Sequence, residues 1–219
     1  MTVAAVIFDL DGVIIDSEPV WETVRRSFVA GSGATWLPDS QQRLMGMSTA
    51  EWARYLAEEL GVPMSAEQVS AEVVRLMAAR YEVALPLIPG AIEAVRRIGA
   101  GWPLGLASSS PRRLIDTVLE RSGLAAAFAV TISTEEVPRG KPSPDVYLAV
   151  AKKLAVQPQD CVAVEDSSNG VRSAVAAAMK TIVLERPEYP VDADARAGSA
   201  VILTSIESLT VELVAALRR

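Results

Sequence analysis

A chain of 219 residues, half of them hydrophobic, can bury a sizeable core, and one large domain or one domain with an insert is expected. Its formal charge of −6 and pI near 4.9 leave no basic stripe to neutralise phosphates, which argues against a generic nucleic-acid binder. The absence of histidine excludes histidine triads, His-ligated zinc and phosphohistidine chemistry, so acid–base work falls to Asp, Glu, Lys, Tyr or the single Cys.

That cysteine, Cys161, has no internal disulfide partner, which fits a reducing compartment. It lies in the apolar run Cys161-Val162-Ala163-Val164 and reads as an inert core thiol. No segment has about 18 uninterrupted apolar residues, so no membrane span is expected. The N-terminus lacks a basic region, and Asp9 and Asp11 cut its apolar stretch, unlike a signal peptide. The expected location is cytoplasmic.

In chain order, Val3-Ala4-Ala5-Val6-Ile7 suits a parallel strand buried on both faces. It runs into Phe8-Asp9-Leu10-Asp11-Gly12-Val13. Residues i and i+2 of a strand point the same way, and glycine lets the backbone turn sharply beyond them. Two carboxylates are thus held side by side at the C-terminal edge of a strand, where open α/β sheets place ligands. Such neighbours repel unless a cation or a shared proton relieves them, and a metal is predicted.

From Glu18 to about Tyr81 the pattern is helical. Trp21, Val24, Arg25 and Phe28 recur at helical spacing, as do Trp52, Tyr55, Leu56 and Leu60. Gly61-Val62-Pro63 interrupts the pattern, and Ser65-Ala66-Glu67-Gln68 offers a capping box for the next helix. Residues 16–87 are therefore read as a helical insert between two parts of a core, 1–15 and 88–219. Two crossing connections would make a natural hinge.

After Gly90 helices and strands alternate. Strands are expected at Leu104–Ala107, Val130–Ile132, Cys161–Val164, Thr181–Leu184 and Val201–Leu203, with helices between all but the last two, where Asp192, Asp194 and Arg196 read as a surface loop, and a closing helix Ile206–Leu217. Ser143 and Pro144 are expected to start one helix as N-cap and first helical residue. This alternation implies an α/β fold, a Rossmann-like, doubly wound parallel sheet with an inserted helical domain.

Four polar clusters follow strands and so share one rim: Asp9/Asp11, Ser108/Ser109, Lys141 and Glu165/Asp166. Singly, each has an ordinary explanation in turn chemistry or helix-start charge. Together they suit phosphoryl transfer through an aspartyl phosphate. One carboxylate attacks phosphorus and a second handles protons, an acid–base contribution of about 10²–10⁴-fold. Magnesium accepts one or two carboxylates and a carbonyl, while serine, backbone N–H groups and an ammonium cradle the phosphoryl oxygens.

Asp9-Leu10-Asp11-Gly12-Val13, Ser108, Lys141-Pro142 and Glu165-Asp166-Ser167 resemble, in order, the four motifs of the haloacid dehalogenase superfamily. The helical insert after the first motif resembles the small cap of the β-phosphoglucomutase-like branch. The resemblance implies Asp9 as nucleophile and Asp11 as general acid/base. Ser108, Ser109 and Lys141 would bind phosphate. Asp9, the Asp11 carbonyl, Asp166 and Glu165 would form the surroundings of Mg²⁺, with Glu165 either a ligand or one step removed. Glu18, Trp21 and Gly46 are the cap positions assigned to the substrate. Trp21, Trp36 and Trp52 otherwise read as packing residues.

Asp11 favours phosphate esters over haloacids, since an alkoxide leaving group needs a proton and a halide does not. The chain has no lysine before Lys141, which counts against imine-forming phosphonate cleavage. Mutases of this branch carry a cap histidine where Trp21 aligns, and cations where Met45 and Thr49 align around Gly46. Arg43 and Arg54 are the nearby substitutes. The expectation is a Mg²⁺-dependent phosphatase of sugar or polyol phosphates, similar to hexitol-phosphate phosphatases. A phosphosugar mutase and a non-catalytic phosphate-binding protein are the alternatives. The expected partner is a small phosphate ester, not nucleic acid or membrane, and the chain is expected to be a monomer, with a dimer as the alternative.

Overall fold

A computed structural model describes residues 2–44 and 47–217. The strands are β1 (Ala5–Phe8), β2 (Leu104–Ser108), β3 (Phe128–Ser133), β4 (Cys161–Glu165), β5 (Lys180–Leu184) and β6 (Val201–Leu203). They form one parallel sheet of order β3-β2-β1-β4-β5-β6. The continuous apolar run at the N-terminus explains the placement of β1: all four residues are completely buried, as a central strand covered on both faces requires. Phe8 stands opposite Leu106 of β2 and Val164 of β4, so three strands end side by side. Strand order runs one way from β1 to β3 and the other way from β4 to β6. The reversal between β1 and β4 is the position where open sheets bind ligands.

The residues up to Asp16, together with those from Leu87 onward, form one compact unit, and Ser17–Pro86 form another. Unit 17–86 contains α1 (Glu18–Gly31), α2 (Ser40–Leu44), α3 (Thr49–Arg54) and α4 (Ala66–Val83), with a π-helical turn over Tyr55–Glu59 after α3. Its interior is built by Val24 and Val29 from α1, Trp52 and Leu56, and Val69, Val73, Met77 and Tyr81 from α4. Burying each large aliphatic side chain contributes about 1.5–3 kcal/mol. The start of α4 is the expected capping box: Ser65 Oγ accepts from Gln68 N at 3.2 Å, and Ser65 N donates to Gln68 Oε1 at 3.0 Å.

The sheet unit adds α5 (Ala91–Gly99), α6 (Arg112–Ser122), α7 (Asp145–Lys153), α8 (Ser168–Ala176), α9 (Ala193–Gly198) and α10 (Val211–Ala216). Ala5 and Ile7, Ala107, Ile132, and Cys161 and Ala163 present one sheet face to Val146, Tyr147 and Val150 of α7 and Ala174 of α8. Cys161 is buried there, and burial, followed by the charge of Asp160, pushes its thiol up to about 11, as befits a core residue. The segments flanking the insert lie together within this unit: Ile15 pairs with Leu87 in antiparallel fashion, and Ile88 N donates to Ile14 O at 3.0 Å.

Two local expectations are corrected. Helix α7 begins at Asp145, with Pro144 at the N-cap, because Ser143 Oγ donates to the Asp145 carboxylate at 2.7 Å and caps no backbone N–H. Asp192 and Asp194 flank the start of a short helix rather than lying in an open loop, and both carboxylates pair with Arg172 of α8. Among the described residues no helix is long and apolar enough to cross a membrane.

Candidate active site

Asp9 is the first residue beyond β1, and its backbone N–H donates to Val164 O at 2.9 Å, extending the ladder toward β4. The residue is only 5% exposed. Lys141, from the loop after β3, brings its ammonium to three acceptors: Asp9 Oδ1 at 2.7 Å, Glu165 Oε1 at 2.6 Å and Ala107 O at 3.0 Å. Three ammonium protons thus meet three oxygens at the ends of three adjacent strands. Burial alone would lower the Lys141 pKa, but the charges of Asp9 and Glu165 and the hydrogen bonds to them raise it overall, so it stays a cation.

Glu165 ends β4 and is completely buried. Its Oε1 accepts from Lys141 and from Tyr147 Oη at 2.7 Å. Its Oε2 accepts from Asp166 N at 3.1 Å, Ser167 Oγ at 3.2 Å and Ser167 N at 3.4 Å. Ser167 Oγ in turn accepts from Gly170 N at 3.1 Å and caps α8. A Cβ at Gly170 would lie 2.0 Å from the Glu165 carboxyl, so this glycine provides room for a carboxylate. Gly170 lies inside the first turn of α8.

The second glycine of consequence is Gly12, at φ +73°, where a Cβ would lie 1.7 Å from Asp166 Oδ2. Asp166 can therefore settle against the loop that follows Asp11. Carboxylate oxygens of Asp9, Glu165 and Asp166 all lie within 4.8 Å of one another. Burial, then the charges of Glu165 and Asp9, push the Asp166 carboxyl well up, against the opposing pull of Arg186 and Lys141. Asp9 rises to about 8: burial dominates, Lys141 opposes it, and Glu165 and Asp11 add to the rise. One lysine does not compensate these acids. An oxygen-only, crowded and buried donor set of this kind fits a hard divalent cation such as Mg²⁺. Asp9 and Asp166 are best disposed to hold it, because both Glu165 oxygens already accept protein hydrogen bonds.

Ser108 ends β2 and is completely buried. Its Oγ accepts from Ser110 N at 3.0 Å and lies 3.4 Å from Asp11 Oδ2. Ser110, which the sequence did not single out, donates from Oγ to Asp11 Oδ2 at 2.7 Å, and Ser133 Oγ anchors its carbonyl at 2.7 Å. Ser109, an expected phosphate ligand, is exposed, so the tight turn directs the first and third serines inward. Tyr147 and Arg186 were also missed. Arg186 donates to Asp16 Oδ1 at 2.6 Å and approaches Asp166 Oδ2 at 3.9 Å. Nearby, Arg112 donates to Glu136 at 2.6 Å and to Thr131 at 2.9 Å.

The cap residues assigned to the substrate lie in unit 17–86. Trp21 is buried, its ring 5.8 Å from that of Trp52, with the Arg25 guanidinium 4.5 Å from the Trp21 ring. Glu18 Oε1 accepts from Gln41 Nε2 at 2.5 Å. Gly46 and neighbouring Met45 lie outside the described residues.

Residues 3–178 match the family model described as haloacid dehalogenase-like hydrolase. The chain is 36% identical over 218 residues to hexitol phosphatase B of Escherichia coli K12, covering 94% of this chain and 97% of that protein. It is 34% identical over 179 residues to a phosphorylated carbohydrates phosphatase of Thermotoga maritima, covering 81% and 83% of the two chains. A solved β-phosphoglucomutase of Clostridium difficile shares the fold at TM-score 0.80 and 23% identity, with 98% of this chain and 96% of that one covered. Matched motifs, sheet order and the acidic rim agree, and the chain belongs to the haloacid dehalogenase-like hydrolase family.

Proposed function

We propose that this chain is a Mg²⁺-dependent phosphatase of sugar or polyol phosphates that works through an aspartyl phosphate on Asp9. The observation that carries the reading is the buried ammonium of Lys141 against Asp9 Oδ1, with Asp166 beside it and Asp11 two residues on. The similarity to hexitol phosphatase B and the carbohydrate phosphatase supports the substrate class.

In this reading an Asp9 carboxylate oxygen attacks phosphorus, and the P–O bond to the sugar or polyol breaks. Asp11 gives its proton to the departing oxygen, then, as a carboxylate, takes one from the attacking water. The P–O bond to Asp9 breaks and orthophosphate leaves. Lys141 and Ser108 bind phosphoryl oxygens, and Glu165 holds Lys141. Asp9 and Asp166, with the Asp11 carbonyl, would hold Mg²⁺, which when bound neutralises phosphoryl charge. Unit 17–86 serves as the cap. The hydrolase is favoured over the mutase because the chain has no histidine and carries Met45 and Thr49 where mutases of this branch have cap cations. Of the nearby substitutes Arg43 and Arg54, Arg43 pairs with Glu59 at 2.5 Å and lies over the Tyr55 ring.

The test is a phosphate-release screen over sugar, polyol and nucleoside monophosphates, with Mg²⁺ and with chelator. Release from sugar or polyol phosphates with metal is expected. No release from any ester would overturn the phosphatase. Conversion of β-glucose 1-phosphate to the 6-phosphate without free phosphate, given a bisphosphate primer, would mean a mutase. Asp9→Asn should abolish turnover, and appreciable activity in it would remove Asp9 as nucleophile.

A further inference from the structure

Tyr147 lies on α7 with its ring completely buried in the main core cluster, where a phenylalanine would fill the same space. Its hydroxyl points out of that cluster to Glu165 Oε1 at 2.7 Å, and its ring centroid lies 5.2 Å from the Lys141 ammonium. We infer that Tyr147 is a positioning residue for phosphate binding, which sets the hold of Glu165 on Lys141. The inference rests on the phosphoryl-binding role proposed for Lys141.

The argument turns on Glu165 Oε1, which is shared between Lys141 and Tyr147. Each of the three Lys141 protons is already committed, to Asp9, Ala107 and Glu165. To bind a phosphoryl oxygen, the ammonium must loosen one of these contacts. A second donor on Oε1 weakens its attraction for the ammonium, and the aromatic face beside the ammonium stabilises the charge without claiming a proton. Without the hydroxyl, Glu165 Oε1 would hold Lys141 alone and withhold it from phosphate.

Tyr147→Phe keeps the ring and removes only the hydroxyl. Calorimetric titration of inorganic phosphate in the presence of Mg²⁺ should show binding weakened by about tenfold, the scale of one hydrogen bond to a charged group. The ¹⁵N resonance of the Lys141 ammonium should also shift in this variant. A purely structural tyrosine would lower the melting temperature and leave both readouts unchanged, and that result would overturn the inference. Should the variant not fold, the wild type still decides. Its Tyr147 hydroxyl proton should exchange slowly and its resonance move when phosphate is added; a rapidly exchanging or unmoved signal overturns the inference. If the wild type binds phosphate but hydrolyses no ester, the phosphatase reading fails while these measurements still judge Tyr147. If it hydrolyses esters and Tyr147→Phe binds phosphate normally, only the positioning role falls.

Discussion

At the residue scale, the serine run after β2 separates two roles that its sequence does not distinguish. Ser110 donates to Asp11 Oδ2 at 2.7 Å, whereas Ser109 faces solvent. If Asp11 is the proton carrier, Ser110 fixes its orientation, and a hydrogen bond to a charged group contributes about 1.5–3 kcal/mol. Ser110→Ala should therefore slow hydrolysis of alkyl phosphates by about tenfold or more, and aryl phosphates, whose leaving groups need less protonation, by less. Ser109→Ala should leave both rates within about twofold. Steady-state rates on the two ester types check this, and equal losses from the two variants would count against a distinct role for Ser110. The placement of Asp9 and Asp11 at the end of an apolar strand was legible in the sequence, because a strand-length apolar run leads directly into them. Ser110 and Tyr147 were not, because a serine in a turn and an aromatic on a helix have common explanations that only their three-dimensional partners displace.

At the element scale, α8 and α9 are joined by charge on their outer surface. Arg172 of α8 donates to Asp194 from Nε and Nη2, both at 2.7 Å, and Asp192 accepts from the same guanidinium. The hydrogen bond from Arg172 holds the Asp194 carboxyl down, from an ordinary 3.8 to about 2. A group whose pKa is depressed on folding contributes stability above its unfolded value and loses it as pH falls through the folded one. The contribution of Asp194 should thus be full above about pH 4 and vanish near pH 2. The group is exposed, so its effect is small and screened by salt. Urea midpoints of wild type and Asp194→Asn should differ slightly at pH 6 in low salt, then converge toward pH 2 and at 1 M salt. A gap unchanged across that range would remove the ion pair as its cause. Helix α8 was readable in the sequence, but α9 was read as a loop, and the cross-helix clamp was not legible either, since Arg172 and Asp194 are 22 residues apart in the chain.

For the whole molecule, the ends of β1 and β4 gather three carboxyl groups around the single ammonium of Lys141. A cation bound only by the folded state stabilises it by RT ln(1 + [L]/Kd), about 2.7 kcal/mol at a hundredfold excess over Kd. Mg²⁺ should therefore raise the melting temperature of the wild-type protein, and chelator should abolish both that shift and phosphatase activity. Asp166→Asn should lose most of the Mg²⁺-dependent shift, measured by thermal unfolding with increasing metal. A shift retained in full would exclude Asp166 as a ligand. Both readouts follow the cation directly, so loss of activity alone would not be mistaken for loss of metal.

The sequence by itself determined the alternation of strands and helices, the helical insert after the first motif and the four polar clusters on one rim. Each of these is written in local periodicity or in short motifs whose residues act close to where they stand in the chain. Only the tertiary structure decided how the clusters meet. It brought Lys141 across 132 residues to Asp9, seated Glu165 under Tyr147, and turned Ser110 inward in preference to Ser109. It also showed why Gly12 and Gly170 are glycines, since each yields its Cβ space to a carboxylate from elsewhere. Hydrogen-bond partners and excluded volume at a buried site depend on distances between strand ends, and no local pattern encodes those distances.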